Sequence, residues 1–236
     1  LKALEPGFDP KGLIVDLSEG LLVHYAGKQL INHYDVYQHL MDYWAETMQD
    51  DCYIIAANGW KAETHRIIET KKGKNGKPGK EVDKGWACDL VPKALIVDRY
   101  FADDKIALDQ LKTELESISA QKTELEEEHS SEEGAFNEME KINKATVNAR
   151  YKEIKEDEEA KEEIVVLKRW LKLTNEEAAK KKAIKIADAK LDAKAYAKYP
   201  KLTEEEVKTL VVDDKWFTTL DAAISGEMDR ISQALT

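Results

Sequence analysis

The sequence predicts a mainly α fold with a long antiparallel, coiled-coil-like helical arm and a small β-hairpin element around residues 51–91. Charged residues make up 35% of the chain, above the usual quarter, which is typical of long solvated helices. Apolar residues recur three and four positions apart over most of the chain, as on one face of a helix. Residues 51–91 differ because short apolar runs there flank Asn58-Gly59 and a segment rich in lysine and glycine.

Composition narrows the class of protein. The 236 residues suffice for one large or two small domains, and a hydrophobic content of 42% permits a core. The net charge of -11 argues against general nucleic-acid binding by the whole chain. Cys52 and Cys88 are too few for a disulfide framework, which favours a reduced, cytoplasmic setting. No apolar run approaches the ~20 residues that span a bilayer, so no membrane partner is expected.

Residues 1–91 are predicted to form a helical subdomain that contains the β element. Apolar spacing predicts a first helix that stops near Gly27, and Asp35 begins a second helix with a wide apolar face. The short apolar run Cys52–Ala57 is predicted to be a strand. Asn58-Gly59 is then the hairpin turn that ends this strand.

The rest of this subdomain is predicted to complete the sheet. His65–Thr70 is the expected return strand, and Trp86–Val91 is expected to add a third strand. Between them, Lys71–Lys84 carries six lysines against two acids. A mobile basic loop is the structure expected for such a composition.

Residues 92–200 are predicted to form the charged helical arm, a long hairpin. Apolar residues step by three and four from Leu108 to Leu125 and again from Ile164 to Leu191, as in heptad seams. Asp103–His129 contains nine acids against three lysines, whereas Glu176–Lys201 contains eight lysines against four acids. Opposite charges favour antiparallel pairing of the two helices, and the apolar seams are expected to supply the stability.

Two capping patterns divide the second half of the chain. Thr174 with Glu177 matches a capping box and predicts a kink or break in the second helix of the arm. Thr203 with Glu206 matches another, which predicts a new helix start within the C-terminal helices of residues 201–236.

Metal and thiol chemistry are both disfavoured by the residue pattern. His24, His33 and His39 lie close together in sequence, but their spacing matches no zinc-binding motif, so no metal site is predicted. Cys52 follows two aspartates, and anionic neighbours disfavour a reactive thiolate. Cys52 is therefore expected to be a core residue.

The lysine- and glycine-rich segment leaves two interpretations open. It is either a solvated linker or a non-specific contact to DNA phosphates, for which flexible lysines suffice. Its spacing does not match a phosphate-binding P-loop. The candidate phosphate-contacting residues are Lys71, Lys72, Lys74, Lys77 and Lys80.

Several segments resemble the C-terminal region of the DNA methylase subunits of type I restriction–modification systems. In chain order they are Tyr34–Trp44, Gln49–Tyr53, Asn58–Trp60, Leu95–Phe101, Ala195–Pro200 and Thr209–Trp216. The resemblance implies a parent similar to an adenine-N6 DNA methyltransferase that uses S-adenosylmethionine and works on DNA with a specificity subunit and a restriction subunit. The Asn/Asp-Pro-Pro-Tyr/Phe motif and the glycine-containing cofactor motif of that family do not occur here. No catalytic residue, cofactor-binding residue or cofactor is therefore assigned to this segment.

The expected function is non-catalytic assembly with the specificity subunit, together with DNA positioning. The chain opens at Leu1 and closes within a helical pattern, so we expect a piece of a longer protein. In the family that it resembles, C-terminal helices of the methylase pack against long helices of the specificity subunit. The candidate docking residues on the last helix are Leu220, Ile224, Met228 and Ile231. Whether the seams of the arm also dock a partner stays open, and a free-standing coiled-coil adaptor or scaffold with no nucleic-acid role is the alternative.

Overall fold

The computed structural model describes residues 1–28, 32–72, 78–131, 134–137 and 139–235. These residues belong to two compact units, Leu1–Tyr100 together with Ala195–Thr236, and Phe101–Lys194. The predicted mainly α fold with a small antiparallel sheet is confirmed.

The described elements follow one another in a simple order. The helices are α1 (Pro10–Tyr25), α2 (His33–Tyr43), α3 (Gln49–Asn58), α4 (Lys93–Tyr100), α5 (Ala102–Glu128), α6 (Lys144–Ile154), α7 (Lys161–Lys198), α8 (Glu204–Lys208) and α9 (Thr218–Leu235). Strands β1 (His65–Lys72) and β2 (Pro78–Ala87) lie between α3 and α4. Wider π-helical turns join α2 to α3 at Trp44–Met48 and α8 to α9 at Thr209–Phe217, and a 3-10 turn follows α7 at Tyr199–Lys201.

Local signals define the first helix. The side chain of Asp9 accepts the backbone N–H of Lys11 at 3.0 Å, and Pro10 occupies the first turn, where a helix has no use for its N–H. α1 ends at Tyr25, and Gly27 follows with a φ of +78°, so the predicted stop is confirmed.

The predicted strand Cys52–Ala57 is wrong, because these residues lie in α3. Cys52 and Ile55 are fully buried there, on the inner face of the helix. A short apolar run does not distinguish a buried strand from a buried helix by its periodicity. Gly59 ends the helix instead of forming a hairpin turn: it adopts a φ of +75° and donates its N–H to the Ile55 carbonyl at 2.8 Å.

The sheet is a hairpin of two strands that uses the lysine-rich segment differently from the prediction. His65–Thr70 is a strand, as expected, but its antiparallel partner is β2. The expected basic loop is therefore wrong for Pro78–Lys84, which pairs with β1. Trp86–Val91 is not a third strand, since β2 ends at Ala87. Strand pairing supplies order that a composition rich in lysine and glycine does not indicate.

In the second unit, α5 and α7 run antiparallel, as their opposite charges predicted. Three ion pairs fix the direction, because their partners descend along one helix as they rise along the other: Asp104–Lys194 at 2.6 Å, Glu114–Lys180 at 2.5 Å and Lys122–Glu177 at 3.1 Å. Both seams bury residues within this unit: Leu108, Leu125, Leu167, Leu173 and Leu191. Burial of these leucines stabilises the pair more than the exposed charges do.

The predicted helix break near Thr174 is wrong, because α7 is one unbroken helix of 38 residues. Glu177 does not cap the Thr174 backbone but bridges Lys122 and Lys181. The Thr174 hydroxyl is buried and has no hydrogen-bond partner among the described residues. Packing of the adjacent Leu173 in the core outweighs the local capping pattern.

The second predicted capping box is confirmed at α8. The Thr203 hydroxyl accepts the Glu206 N–H at 3.2 Å, and Glu206 accepts the Thr203 N–H at 2.8 Å. Glu206 also accepts from the Lys198 ammonium at 2.8 Å and from the Tyr100 hydroxyl at 2.9 Å. Lys198 foremost, then the Thr203 N–H and Tyr100, hold the pKa of Glu206 at about 2. One carboxylate thus ties the start of α8 to α4 and to the end of α7.

Glu206→Gln should remove this pH-dependent stabilisation. A carboxyl with a depressed pKa stabilises the fold above its unfolded pKa, and the contribution is lost as the pH falls toward its folded value of about 2. We expect the variant to be less stable by about 1 kcal/mol at pH 7, a small loss because the group is partly exposed. The difference in the free energy of unfolding between the variant and the unmodified protein should disappear between pH 4.5 and pH 2.

Urea unfolding followed by circular dichroism across that pH range measures the gap. Glu204→Gln is the matched control, since Glu204 is an exposed residue two positions earlier in the same helical turn. It should change stability little at any pH. A gap for Glu206→Gln that is the same at pH 7 and pH 2 would contradict the assignment.

Candidate functional site

The first candidate surface is the hairpin of β1 and β2, called the ribbon from here on. Lys71 lies in β1 and is exposed, Lys72 ends that strand, and Lys80 is exposed in β2. Lys74 and Lys77 lie outside the described residues. The structure therefore places three of the five predicted phosphate-contacting lysines on paired strands.

The ribbon is open to solvent on both faces. Every residue from 65 to 71 is exposed. Ile67 and Ile68 are 42% and 51% exposed, and consecutive residues of a strand point to opposite faces. A two-stranded hairpin without a covered face is only marginally stable. The ribbon therefore lacks the burial that would explain its sequence as a core element.

Some charged residues of the ribbon form ion pairs with each other, and others do not. Arg66 pairs with Asp83, and Lys84 pairs with Glu69 at 3.0 Å, so two of the three acids of the described strands are matched by cations, and Glu81 is the third. The arginine side chain and the Gly85 N–H lower the pKa of Asp83. Within the described part of the chain, Lys71 and Lys80 form no ion pair. These two lysines are left as available positive charges at the distal half of the ribbon.

Two bulges shape the ribbon and bring these lysines together. β2 has one extra residue opposite Ile67, where Gly85 adopts a φ of +114°. A second bulge lies between the Thr70–Glu81 and Lys72–Pro78 pairs, so Lys71 faces the bulged part of β2 that includes Lys80. Bulges increase the right-handed twist of a strand pair. The two lysines therefore lie across from each other on a twisted two-stranded element.

An aromatic cluster fixes the base of the ribbon. The Trp86 ring lies 5.2 Å from the rings of both Tyr196 and Tyr199, and the Lys93 ammonium lies 6.0 Å from its centroid. The Tyr199 hydroxyl donates to the Val91 carbonyl at 2.7 Å in a buried position, and burial raises the pKa of this phenol. Aromatic pairs of this kind add to the burial energy. These ring contacts anchor the Trp86 end of the ribbon.

A buried carboxylate is the most unusual polar group of the same unit. Asp51 is 2% exposed. Its Oδ1 accepts from the Lys215 ammonium at 2.7 Å, and its Oδ2 accepts from the Trp216 indole N–H at 2.8 Å. Lys215 also donates to the Leu90 carbonyl at 3.1 Å. The group therefore joins α3, the Thr209–Phe217 segment and the chain before α4.

The contacts of this Asp51 cluster stabilise the fold. Burial raises the pKa of Asp51, and hydrogen bonds from Lys215 and Trp216 act against that rise. Both oxygens of the carboxylate are occupied by donors that belong to the chain. The adjacent Cys52 is fully buried, and its pKa is raised to about 12, first by burial and then by the charge of Asp51. Cys52 is a core residue, as predicted.

The second candidate surface is α9. Leu220, Ile224 and Ile231 are half-buried, whereas Met228 is 49% exposed. α9 packs beside α2, and none of its described side chains is buried. Its apolar stripe is therefore only partly covered by the described chain.

Metal binding and membrane insertion are the two other classes of site that can be compared with the described residues. No group of three histidine, cysteine or acidic side chains is arranged to hold a metal ion within the described ranges. None of the helices in the described part of the chain has the length and apolar character needed to cross a membrane.

Sequence reasoning missed the Asp51 cluster because its members are far apart in the chain. Lys215 and Trp216 follow Asp51 by more than 160 residues, a separation that no periodicity reports. In the sequence these residues stand out only as members of two segments that carry the family resemblance, Gln49–Tyr53 and Thr209–Trp216. No protein family, no curated protein and no solved structure matches this chain.

Proposed function

We propose that this chain is a non-catalytic assembly segment of a type I restriction–modification DNA methylase subunit, acting in the cytoplasm. In this proposal it docks on the specificity subunit through α9 and helps to position DNA. The half-covered apolar stripe of α9 is the observation that carries the proposal. The segments that resemble the family occur in the same order along the chain, from Tyr34–Trp44 to Thr209–Trp216. This resemblance is the reason for proposing the specificity subunit as the partner.

The stripe of α9 has the properties of a helix-docking surface. Leu220, Ile224 and Ile231 repeat at helical spacing beside α2, and Met228 extends the stripe toward solvent. Apolar area removed from water contributes roughly 25 cal/mol per Å². A long helix of the partner, laid along this stripe, would complete its burial in the helix-in-groove manner.

The arm supports docking through α9 rather than through α5 or α7. Leu125, Leu167 and Leu173 of the arm seams are buried in the core of their own unit. Ion pairs between α5 and α7 occupy the flanks of the seam. An internally closed seam offers little apolar area to a partner.

The parent protein would carry the chemistry. In the family that the chain resembles, S-adenosylmethionine supplies the methyl group, the specificity subunit reads the DNA and the restriction subunit cuts it. Those activities belong to the proposed parent and its partners. The present segment is assigned assembly alone, together with a DNA contact by the ribbon. A free-standing coiled-coil adaptor or scaffold with no nucleic-acid role is the competing proposal, favoured by the closed hairpin of α5 and α7.

Met228→Asp should weaken binding to the specificity subunit. Burying a methionine contributes about 1.5–3 kcal/mol, so its loss and the introduced charge should raise the Kd at least tenfold. Size-exclusion chromatography with light scattering, on the chain mixed with the specificity subunit of its own operon, shows whether a complex forms. Calorimetric titration then gives the Kd.

Val165→Asp is the control, because Val165 is 64% exposed on α7. This substitution introduces the same negative charge away from α9. It should leave the Kd unchanged. Equal binding by both variants would remove α9 from the interface. Separate elution of the unmodified chain and the specificity subunit would reject the proposed assembly role and leave the adaptor proposal standing.

A further inference from the structure

We infer that the ribbon binds duplex DNA, with Lys71 and Lys80 contacting phosphates on the walls of a groove. This inference rests on the proposed function and deepens it. The sequence suggested that a mobile loop contacts DNA phosphates, whereas here the paired strands β1 and β2 make this contact.

The shape of the ribbon suits a duplex. The major groove of B-form DNA is about 12 Å wide and admits a two-stranded antiparallel element. The ribbon is such an element, is exposed from residue 65 to residue 71, and is twisted by two bulges. Its base is held by contacts of the Trp86 ring with Tyr196 and Tyr199.

Charge on the ribbon suits a polyanion. The described residues of the ribbon, 65–72 and 78–84, carry five lysines and arginines against three acids, although the whole chain has a net charge of -11. Arg66 and Lys84 pair with Asp83 and Glu69, which leaves two lysines, Lys71 and Lys80, across from each other at the distal bulge against one acid, Glu81. A concentration of positive charge on an acidic protein directs a polyanion to that element.

Two other classes of anionic partner fit less well. Binding of single strands relies on aromatic side chains that stack on bases, and β1 together with residues 78–85 contains no phenylalanine, tyrosine or tryptophan. Binding to a membrane surface requires one apolar face. Ile67 and Ile68 are on opposite faces, so the ribbon has no such face.

The test compares two charge-matched double variants by fluorescence anisotropy with a labelled 30-base-pair duplex. Lys71→Gln with Lys80→Gln alters the ribbon, and Lys182→Gln with Lys185→Gln alters two exposed lysines on α7. Each protein is titrated as the complex with the specificity subunit and as the chain alone, from 50 to 300 mM salt. Each lost phosphate contact should reduce the slope of log K against log salt by about 0.9, so the ribbon variant should lose about 1.8. That corresponds to roughly 50-fold weaker binding at 0.1 M salt, and the α7 variant should keep the original slope.

Several outcomes would overturn the inference. They are equal loss of affinity in both variants, an unchanged slope in the ribbon variant, no duplex binding by the unmodified protein, or competition by single-stranded DNA as strong as by duplex. Failure of the ribbon variant to co-elute with the specificity subunit would make the ribbon a protein-binding surface instead. Failure of the proposed function is distinguishable, because then the unmodified chain fails to co-elute while the anisotropy series on the chain alone still reports on the ribbon.

Discussion

Lys215→Met is expected to destabilise the unit that contains Asp51 by about 3–5 kcal/mol at pH 7, because it leaves a buried carboxylate without its cation. Asp51 is 2% exposed and depends on Lys215 at 2.7 Å for charge compensation. Methionine keeps most of the length of lysine, so packing changes little. The loss should appear as a lower midpoint of urea unfolding and as faster amide hydrogen exchange in α3.

The pH dependence of Lys215→Met identifies the cause. Burial raises the pKa of Asp51 above its unfolded value, so this carboxyl stabilises the fold at low pH and the contribution is lost as the pH rises through the folded pKa. Removing Lys215 takes away the strongest influence that lowers this pKa. The variant should therefore regain stability as the pH falls from 7, the opposite of ordinary acid denaturation.

Two companion variants separate charge from packing. Asp51→Asn in the Lys215→Met background removes the buried charge while an amide oxygen can still accept from Trp216, so at least half of the lost stability should return. Lys2→Met is the control, because the Lys2–Asp213 ion pair is 42% exposed on both sides. Its loss should be within about 1 kcal/mol. A Lys215→Met variant as stable as Lys2→Met would show that the Lys215–Asp51 ion pair does not stabilise the fold.

Trp170→Ala is expected to cost about 3–5 kcal/mol in the other unit, since it removes the largest buried side chain of that core. Trp170 is 1% exposed and packs with Phe136 at a ring separation of 6.4 Å. Its indole N–H donates to Glu126 at 2.6 Å, and the Lys122 ammonium lies 4.9 Å from its ring. One truncation therefore removes apolar area, a hydrogen bond and a cation–π contact.

Hydrogen exchange followed by mass spectrometry assigns this effect to its unit. Amides of α5 and α6 should exchange faster in Trp170→Ala, while those of α3 should be unchanged. Val165→Ala on the same helix is the control, because Val165 is 64% exposed, and it should change stability by less than about 0.5 kcal/mol. Trp170→Phe should lose less than Trp170→Ala, since it keeps the ring in the core. Unchanged exchange in α5 and α6 of Trp170→Ala would remove this side chain from the core of the arm.

Features that depend on neighbours in sequence could be predicted. The capping box of Thr203 and Glu206 and the stop of α1 before Gly27 involve groups within a few residues of each other. The pairing of α5 with α7 could also be predicted, because long runs of opposite charge and heptad seams repeat their signal many times. Each of these patterns has one favourable arrangement wherever the rest of the chain lies.

Features that depend on distant residues were missed or wrongly assigned. Cys52–Ala57 reads equally well as a strand or a helix, and its burial against distant elements favours the helix. Thr174 and Glu177 match a capping box, but Leu173 in the core and the Lys122 ion pair keep α7 continuous. The phosphate-contact hypothesis placed Lys71 and Lys80 in a loop, because nothing in their local sequence indicates that β2 pairs with β1.

The sequence alone thus contains the helical class, the antiparallel arm, the helix ends and the charge contrast of the lysine-rich segment. The buried Asp51–Lys215–Trp216 contact, the partner of β1 and the partial exposure of α9 emerge on folding. The division has a physical basis. Caps and heptads draw their energy from contacts within one or two helical turns, whereas burial and pairing depend on which distant segments exclude water together.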